Sequence, residues 1–559
     1  MAKTSLFKLI KKCIQQAYLK NENPEFFKRL EDIDHEASQG LNRREFISRM
    51  TVLAAAIPLS NMVMRSAYAA VLKKHAHVPR RGRPLTVDSK DLKRKPASTT
   101  PVTILGGGFA GLTAAHDLSK SRIPVEIFEA SSRVGGRVFT QNKFNSDNMF
   151  IELGAELIDT GHADLMRLAK DLGLELDDLA AYDYGYEKCQ YFFGGKHLFE
   201  ADLIPAFEPF AAYLAEDIAA VFPPAVQWVV NYKTHSPAAP KFDNISIYDY
   251  IYSKTNVARW VLDLINQAYI CEYGLETQQQ SSINLLFLIN PDTRKGFHIF
   301  GESDEKYRIK GGNSKVSDAL QKVIEKDVPI QLGHELLAIK DNGSSFTLTF
   351  KVGSRTIEKT AQRILCTLPP TILRKVKGIQ TLGLSPVKLK FINELGFGTN
   401  AKMMIGFKSR MWRNQNGKIP RYTGETFNDL KTQSFWETSR AQSGQSGILT
   451  NFSGGNFGAS LSKGSLPLVL NELDLTLPGL KAQYDGNLSV QKWATNPLVM
   501  GSYSCPLLGQ YTTIYGAGSE PELGGRFLLA GESCSEMFQG FMNGAVETGL
   551  YSANLMRLR

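Results

Sequence analysis

The sequence predicts a mixed α/β fold in which a doubly wound, nucleotide-binding sheet with a β-meander is interleaved with a second domain of mixed sheet and helices. Three observations predict it. A glycine-rich turn joins an apolar strand to a helix at residues 101–118, an alternating apolar and polar pattern broken by turns lies between Leu336 and Thr367, and a strand leading to a helix rich in small residues closes the chain at 526–549. Because the two nucleotide-binding signatures stand at opposite ends of this region, the sheet has to be assembled across everything between them. The expected division is residues 101–160, 305–385 and 490–559 for the nucleotide-binding domain and residues 161–304 and 386–489 for the substrate domain.

Length and composition set the outer bounds. At 559 residues the chain is long enough for two or three domains with real cores. With 43% hydrophobic and 21% charged residues, 47 Gly and 24 Pro, collagen-like and wholly disordered readings fail. The formal charge of +10 belongs to the N-terminus: residues 1–69 hold 11 Lys and Arg against 7 Asp and Glu, residues 70–100 hold 9 against 2, and residues 101–559 are left at −1. A nucleic-acid binder carries its basic patch on the folded domain, so nucleic acid is not an expected partner. Cys13, Cys189, Cys271, Cys366, Cys505 and Cys534 show no CxxC and no ligand-like spacing with His, so no metal site is expected. One disulfide among the later five stays open for an exported protein.

The leader reads as export. Arg43, Arg44 and Phe46 precede a moderately apolar run from Met50 to Met64, which ends at Ala67-Tyr68-Ala69, a small-x-small cleavage pattern. The run is too short and too interrupted by Ser60 and Asn61 to span a bilayer. It resembles the twin-arginine signal, departing from it at Asn42 and Ser48. The resemblance implies a protein exported already folded around a cofactor, with the twin-arginine translocation machinery as a partner and a periplasmic or secreted location. Residues 1–69 are the expected signal and residues 70–100, with Pro79, Pro84 and Pro96, a flexible linker.

The catalytic region opens on a dinucleotide site. Residues 101–105 form a short apolar run suited to a buried parallel strand, followed at once by Gly106, Gly108, Phe109, Ala110 and Gly111 in GxGxxG spacing and by a helical stretch. Gly106 permits the tight turn, Gly108 admits a pyrophosphate to the backbone N–H groups, and Gly111 lets the helix pack on the strand. The phosphates then meet the helix N-terminus. After a second strand, Glu129 falls 18 residues beyond Gly111, where a carboxylate accepts from ribose hydroxyls.

Arg133, Gly135, Gly136 and Arg137 follow, a glycine doublet flanked by arginines that continues contacts along a longer dinucleotide. Here the sequence resembles the flavin-containing amine oxidase family, which includes monoamine, polyamine and L-amino-acid oxidases. The similarity runs in order through most of residues 101–559: Glu152 to Ala155, Ile309 to Asn313, the meander, the strand entering at Ile364, and Arg526 to Glu532 with Gly540 to Gly549. It implies FAD. Ala130, Gly154, Ala155, Glu156, Leu337, Trp493, Gly531, Glu532, Gly540, Phe541, Met542 and Ala545 join the glycines, Glu129 and the two arginines as the implied cofactor-binding set. Glu532 is placed on the ribityl chain and the helix near Met542 beside the flavin carbonyl O2. Ser502 stands where mammalian monoamine oxidases carry the cysteine joined to FAD, so the implied attachment is noncovalent.

The same resemblance assigns the catalytic face. Lys402 matches the lysine that holds a water at flavin N5, against a reading as a strand-end lysine facing solvent. Tyr503 and Phe541 match the two aromatic faces that bracket the substrate amine, against ordinary core packing. The implied reaction takes an amine or L-amino acid to an imine, hydrolysed to an aldehyde or oxo acid, with O₂ reduced to H₂O₂. An amine dehydrogenase, a C–C desaturase and a non-catalytic FAD-containing binding protein remain as alternatives, and a homodimer is left open. The absence of an arginine after Gly154-Ala155 favours a simple amine over an amino acid. Glu156 is open between the second ammonium of a diamine and a surface or structural carboxylate, the latter being the default.

Overall fold

The computed structural model describes Leu85 and residues 99–226 and 229–558. The expected export signal and, apart from Leu85 and residues 99–100, the expected linker lie outside the described residues.

Strand Val102–Leu105 is buried at all four positions, as a strand covered on both faces must be. It pairs in parallel with Val125–Phe128 and Arg363–Cys366, and Ile330–Gln331 and Phe527–Leu529 complete a five-stranded parallel sheet at its two edges. The period of two decides what covers each face. Val102 and Ile104 join Leu112, Val316, Leu320 and Val546 in a core beneath the helices Phe109–Lys120, Ser314–Ile324 and Met542–Leu558. Leu105, Ile364 and Cys366 face the opposite core, which contains Phe346, Leu348 and Phe350 of the meander. The meander strands His334–Asp341, Phe346–Val352 and Arg355–Ala361 are antiparallel, with a register shift between Leu336 and Ala338. The predicted nucleotide-binding sheet and its meander are thus present.

The second sheet has seven strands in the order Tyr484–Lys492, Ala401–Phe407, Gly447–Ser453, Ser434–Glu437, Tyr422–Asn428, Glu187–Phe193 and Lys196–Leu198. Ala401, Met403, Ile405 and Phe407 point into that sheet's own core. Met404, on the other face of the same strand, packs with Ile151 and Leu153 of the nucleotide-binding domain. Lys402 shares Met404's face by the same alternation. Two stretches cross the expected divisions. Strand Tyr484–Lys492 continues past residue 490, and Phe391, Ile392 and Leu395, at the end of helix Pro386–Glu394, lie in the meander-side core of the first domain.

Helix Arg259–Tyr273 stops at Gly274, whose φ of 77° is left-handed and whose absent Cβ would stand 1.9 Å from Asn400 Oδ1. Its last turn carries Cys271, Glu272 and Tyr273 to the active site described below. Cys189, Cys271, Cys366, Cys505 and Cys534 are all free and buried, so the disulfide left open among them is absent.

Candidate active site

A cavity of about 640 Å³ runs from the glycine turn of the first sheet to the second sheet. Gly106 turns at φ 107°, with Thr367 Oγ1 2.5 Å from where its Cβ would be. Gly108 faces open space, with no atom within 4 Å of its own Cβ position, and precedes a helix that no side chain caps. Free N–H groups therefore open on the cavity beside Phe109 and Ala110. Gly111 lets the helix approach the turn closely: its Cβ would fall 2.1 Å from Gly106 O. Glu129 and Ala130 lie at the wall, with Glu129 held by the N–H of Gly107 at 2.7 Å and of Ser131 at 2.8 Å.

The two arginines differ. Arg133 donates to the carbonyls of Val134 at 2.9 Å, Gly136 at 2.6 Å and Val138 at 3.1 Å, closing its own loop and presenting Gly135 and Gly136 to the cavity. Arg137 donates to Ser502 O at 2.7 Å and pairs with Glu532 at 3.0 Å. Glu532 also accepts from Ser504 Oγ at 2.7 Å and Gly540 N at 3.0 Å. These bonds fix Gly531, Glu532, Gly540, Phe541, Met542 and Ala545 along one wall, and Gly531 is again open, with nothing near its Cβ position. Leu337, Gly154, Ala155 and Trp493 line the same volume, with Trp493 Nε1 donating to Leu153 O at 3.0 Å. Open glycines and uncapped N–H groups suit a pyrophosphate, and this chain's residues fit FAD.

Lys402 is buried, not solvent-facing. All three of its ammonium N–H groups are taken: by Gly154 O at 2.8 Å, Glu156 Oε2 at 2.8 Å and Glu152 O at 3.2 Å. To hold a water as well, the role its resemblance implies, it must release one of these. Glu156, expected by default at the surface or as a structural carboxylate, is 5% exposed and proves to be the counter-ion. It also accepts from Trp436 Nε1 at 3.2 Å and Thr438 Oγ1 at 3.1 Å, with Arg308 at 3.7 Å. Burial pushes its carboxyl up, but Lys402 and Arg308 more than offset this and hold it below its ordinary value. Burial pushes Glu152, nearby, up to about 7.

Tyr503 and Phe541 both line the cavity. The Tyr503 hydroxyl donates to the Glu272 carbonyl, and His162 backs Phe541 with ring centroids 5.0 Å apart. Beyond them stand residues that no motif marked: Asp159, Glu272, Glu305, Glu425, Phe427, Trp436 and Arg440. They come from separate segments and share no local pattern, so the sequence carries no signal for them. Burial, with Asp159, pushes Glu272 up to about 7, and burial, with Glu425, Asp159 and Glu272, pushes Glu305 up to about 8. Such a carboxyl binds its proton more tightly when folded, so the stability it contributes is full below its ordinary 4.5 and is lost as pH rises through about 7 or about 8. Glu305→Gln is therefore expected to flatten the decline in melting temperature across that range; an unchanged slope in thermal denaturation would refute it.

A dinucleotide cradle that opens on the same cavity as a buried lysine ion pair and two aromatic rings defines a flavin-dependent oxidoreductase. Residues 109–557 match the family described as flavin containing amine oxidoreductase, and the chain belongs to that family. It is an FAD-dependent enzyme that oxidises amines. Among its relatives are an L-amino-acid oxidase of Sistrurus catenatus edwardsii, 22% identical over 81% of this chain and 86% of that protein, and polyamine oxidase 5 of Oryza sativa subsp. japonica, 24% identical over 82% and 87%. In fold it is similar to the solved cyclohexylamine oxidase of Brevibacterium oxydans IH-35A, with a TM-score of 0.69 and 19% identity over 82% of this chain and 99% of that one. A putrescine oxidase bound to putrescine gives a TM-score of 0.66 and 20% identity over 82% and 99%.

Proposed function

We propose that the chain is an exported amine oxidase that binds FAD noncovalently, takes a primary or secondary amine to an imine, and passes the electrons to O₂. The observation that carries this reading is one cavity shared by the dinucleotide cradle, the Lys402–Glu156 pair and the rings of Tyr503 and Phe541. Bound FAD supplies the two-electron acceptor for the hydride leaving the carbon that bears the amine. Tyr503 and Phe541 exclude water and orient the amine between their faces. Arg137 and Glu532 fix the cavity wall that carries Gly531 and Gly540, and Ser502, its hydroxyl 2.6 Å from Asn400 Oδ1, offers no thiol for a covalent link. Lys402 contributes a fixed positive charge where oxygen acquires negative charge.

The test mixes purified protein anaerobically with amines, diamines and L-amino acids, then admits air with a peroxide assay. Bleaching of the flavin by an amine, reversed by air with stoichiometric peroxide, is expected. Bleaching that air reverses only slowly would indicate a dehydrogenase with a protein acceptor, and no bleaching would overturn the reading. Arg43 and Arg44 support twin-arginine export to the periplasm or beyond. Replacing both by Lys is expected to retain the protein in the cytoplasmic fraction, and unchanged export would refute that route.

A further inference from the structure

Arg308 is a buried cation whose donors are satisfied without its charge being cancelled. It stands in the middle of strand Tyr307–Ile309, which pairs antiparallel with Leu176–Asp178. Alternation sends Ile309 into the core beneath the helices, with Tyr307 packed against it, and turns Arg308 to the opposite face, where its side chain is 1% exposed. There the guanidinium lies 4.6 Å over the Phe150 ring, and its two terminal nitrogens donate to Thr438 O at 2.8 Å and Arg440 O at 2.7 Å. Both carbonyls belong to the turn that joins strands Ser434–Glu437 and Gly447–Ser453. Its Nε is buried with no hydrogen-bond partner. Among the described residues no carboxylate accepts a hydrogen bond from it: Glu156 stands at 3.7 Å and Asp177, its cross-strand neighbour, at 4.0 Å.

Glu156 is therefore shared. Lys402 holds its Oε2 at 2.8 Å, and Arg308 approaches Oε1, which also accepts from Thr438 Oγ1 at 3.1 Å. Two cations and one carboxylate, all buried, sum to one positive charge, and a low-dielectric setting leaves that charge poorly screened. The neighbouring acids do not remove it. Asp177 is 13% exposed at its side chain, so water screens it, and burial pushes its carboxyl up. Burial pushes Glu152 and Glu272 up to about 7 and Glu305 up to about 8, so at pH 6 all three mainly carry their protons, and Glu425 is pushed the same way. Arg440 adds a cation of its own, paired with Asp183 at 3.3 Å. Without Arg308 the Lys402–Glu156 pair is neutral, and an anion in the cavity meets a dipole where it now meets a charge.

We propose that Arg308 is a positioning residue for Lys402: by sharing Glu156 it keeps a net positive charge on the cavity wall for the step that hands electrons to oxygen. This rests on the oxidase reading. In that step O₂ takes two electrons from the reduced flavin and two protons to give H₂O₂, while Arg308, Glu156 and Lys402 neither gain nor lose a proton. Negative charge grows on oxygen, so a wall with a net charge stabilises it where a neutral pair does so only weakly. Arg308 acts through Glu156 and needs no contact with oxygen or flavin. Its grip on the Thr438 and Arg440 carbonyls serves the same end, because Thr438 is itself a donor to Glu156.

The test uses the FAD-loaded protein at pH 6 and needs no amine: the flavin is photoreduced and mixed with air-saturated buffer, and separately the oxidised flavin is titrated with sulfite, an anion whose adduct bleaches it. Arg308→Gln is expected to slow reoxidation and to weaken sulfite binding, each about fivefold or more, and Arg308→Lys, which keeps the charge, to retain most of both. Adding Glu156→Gln to Arg308→Gln restores one net positive charge on Lys402 and is expected to bring both readings back to within about twofold of the unaltered protein. A purely structural clamp predicts no such rescue, since Glu156→Gln supplies no bond to the Thr438 or Arg440 carbonyls. Unchanged readings in Arg308→Gln, or a loss that Glu156→Gln does not repair, would overturn the proposal. Should Arg308→Gln not retain FAD, Glu156→Gln alone decides: two unopposed cations are expected to tighten sulfite binding about fivefold, and an unchanged affinity would overturn it. If the reduced flavin of the unaltered protein reoxidises only slowly in air, the oxidase reading falls. Sulfite then still decides whether Arg308 sustains the charge: weakening in Arg308→Gln with recovery in the double variant supports it, and no change overturns it.

Discussion

Lys402→Met is expected to lower the unfolding free energy by about 3–5 kcal/mol, because it leaves a buried carboxylate without its main counter-ion. Glu156 is 3% exposed at its side chain and lies 2.8 Å from the lysine, while its other cation, Arg308, stands at 3.7 Å. The loss extends to the backbone: Lys402 also ties down the carbonyls of Glu152 and Gly154, which frame the turn at the cavity wall. Adding Glu156→Gln removes the stranded charge, so the double variant is expected to recover more than half of the deficit in urea denaturation. If Lys402→Met alone costs no more than a surface substitution, the ion pair is not formed in the folded protein. Flavin reoxidation by air separates function from stability. It is expected to slow about tenfold or more in both Lys402 variants, since the charge is missing from both, and to stay much faster in Glu156→Gln, where the ammonium remains.

The fold was legible where the backbone needs particular residues next to one another. Gly106, Gly108 and Gly111 lie within six positions of one another because one strand-to-helix turn uses all three, and the alternation of Phe346, Leu348 and Phe350 follows from a sheet covered on one face. Tertiary partners were less legible. Arg133 suggests a ligand contact by its charge, yet its guanidinium closes its own loop, a choice set by carbonyl directions that a residue string does not contain. Glu156 could not be separated from a surface carboxylate because its partners are Lys402, Trp436 and Thr438, roughly 250–280 positions away in sequence. The acids at the substrate end come from a helix terminus, a strained loop and a strand irregularity, so only the folded chain brings them together.

Gly154→Ala is expected to abolish stable FAD retention, for steric and not conformational reasons. A Cβ at this residue would lie 1.7 Å from Arg137 O and 3.5 Å from Trp493 Nε1. The near neighbour is backbone, in the loop that Arg133 holds closed, and the same turn is fixed from the other side by Lys402 on Gly154 O. Neither side yields without moving Arg137 off Glu532, and with it the wall that carries Gly531 and Gly540. Overpacking against a fixed backbone is expected to cost about 3 kcal/mol or more. Gly333→Ala supplies the contrast: its φ of 69° is left-handed, but no atom lies within 4 Å of the added methyl group. That change is expected to cost about 1–2 kcal/mol and leave the flavin bound. The ratio of flavin to protein absorbance after gel filtration reads both. Full retention by Gly154→Ala would mean that the 133–137 loop and the 152–156 turn move apart freely, and that the cradle is not the rigid element its hydrogen bonds describe.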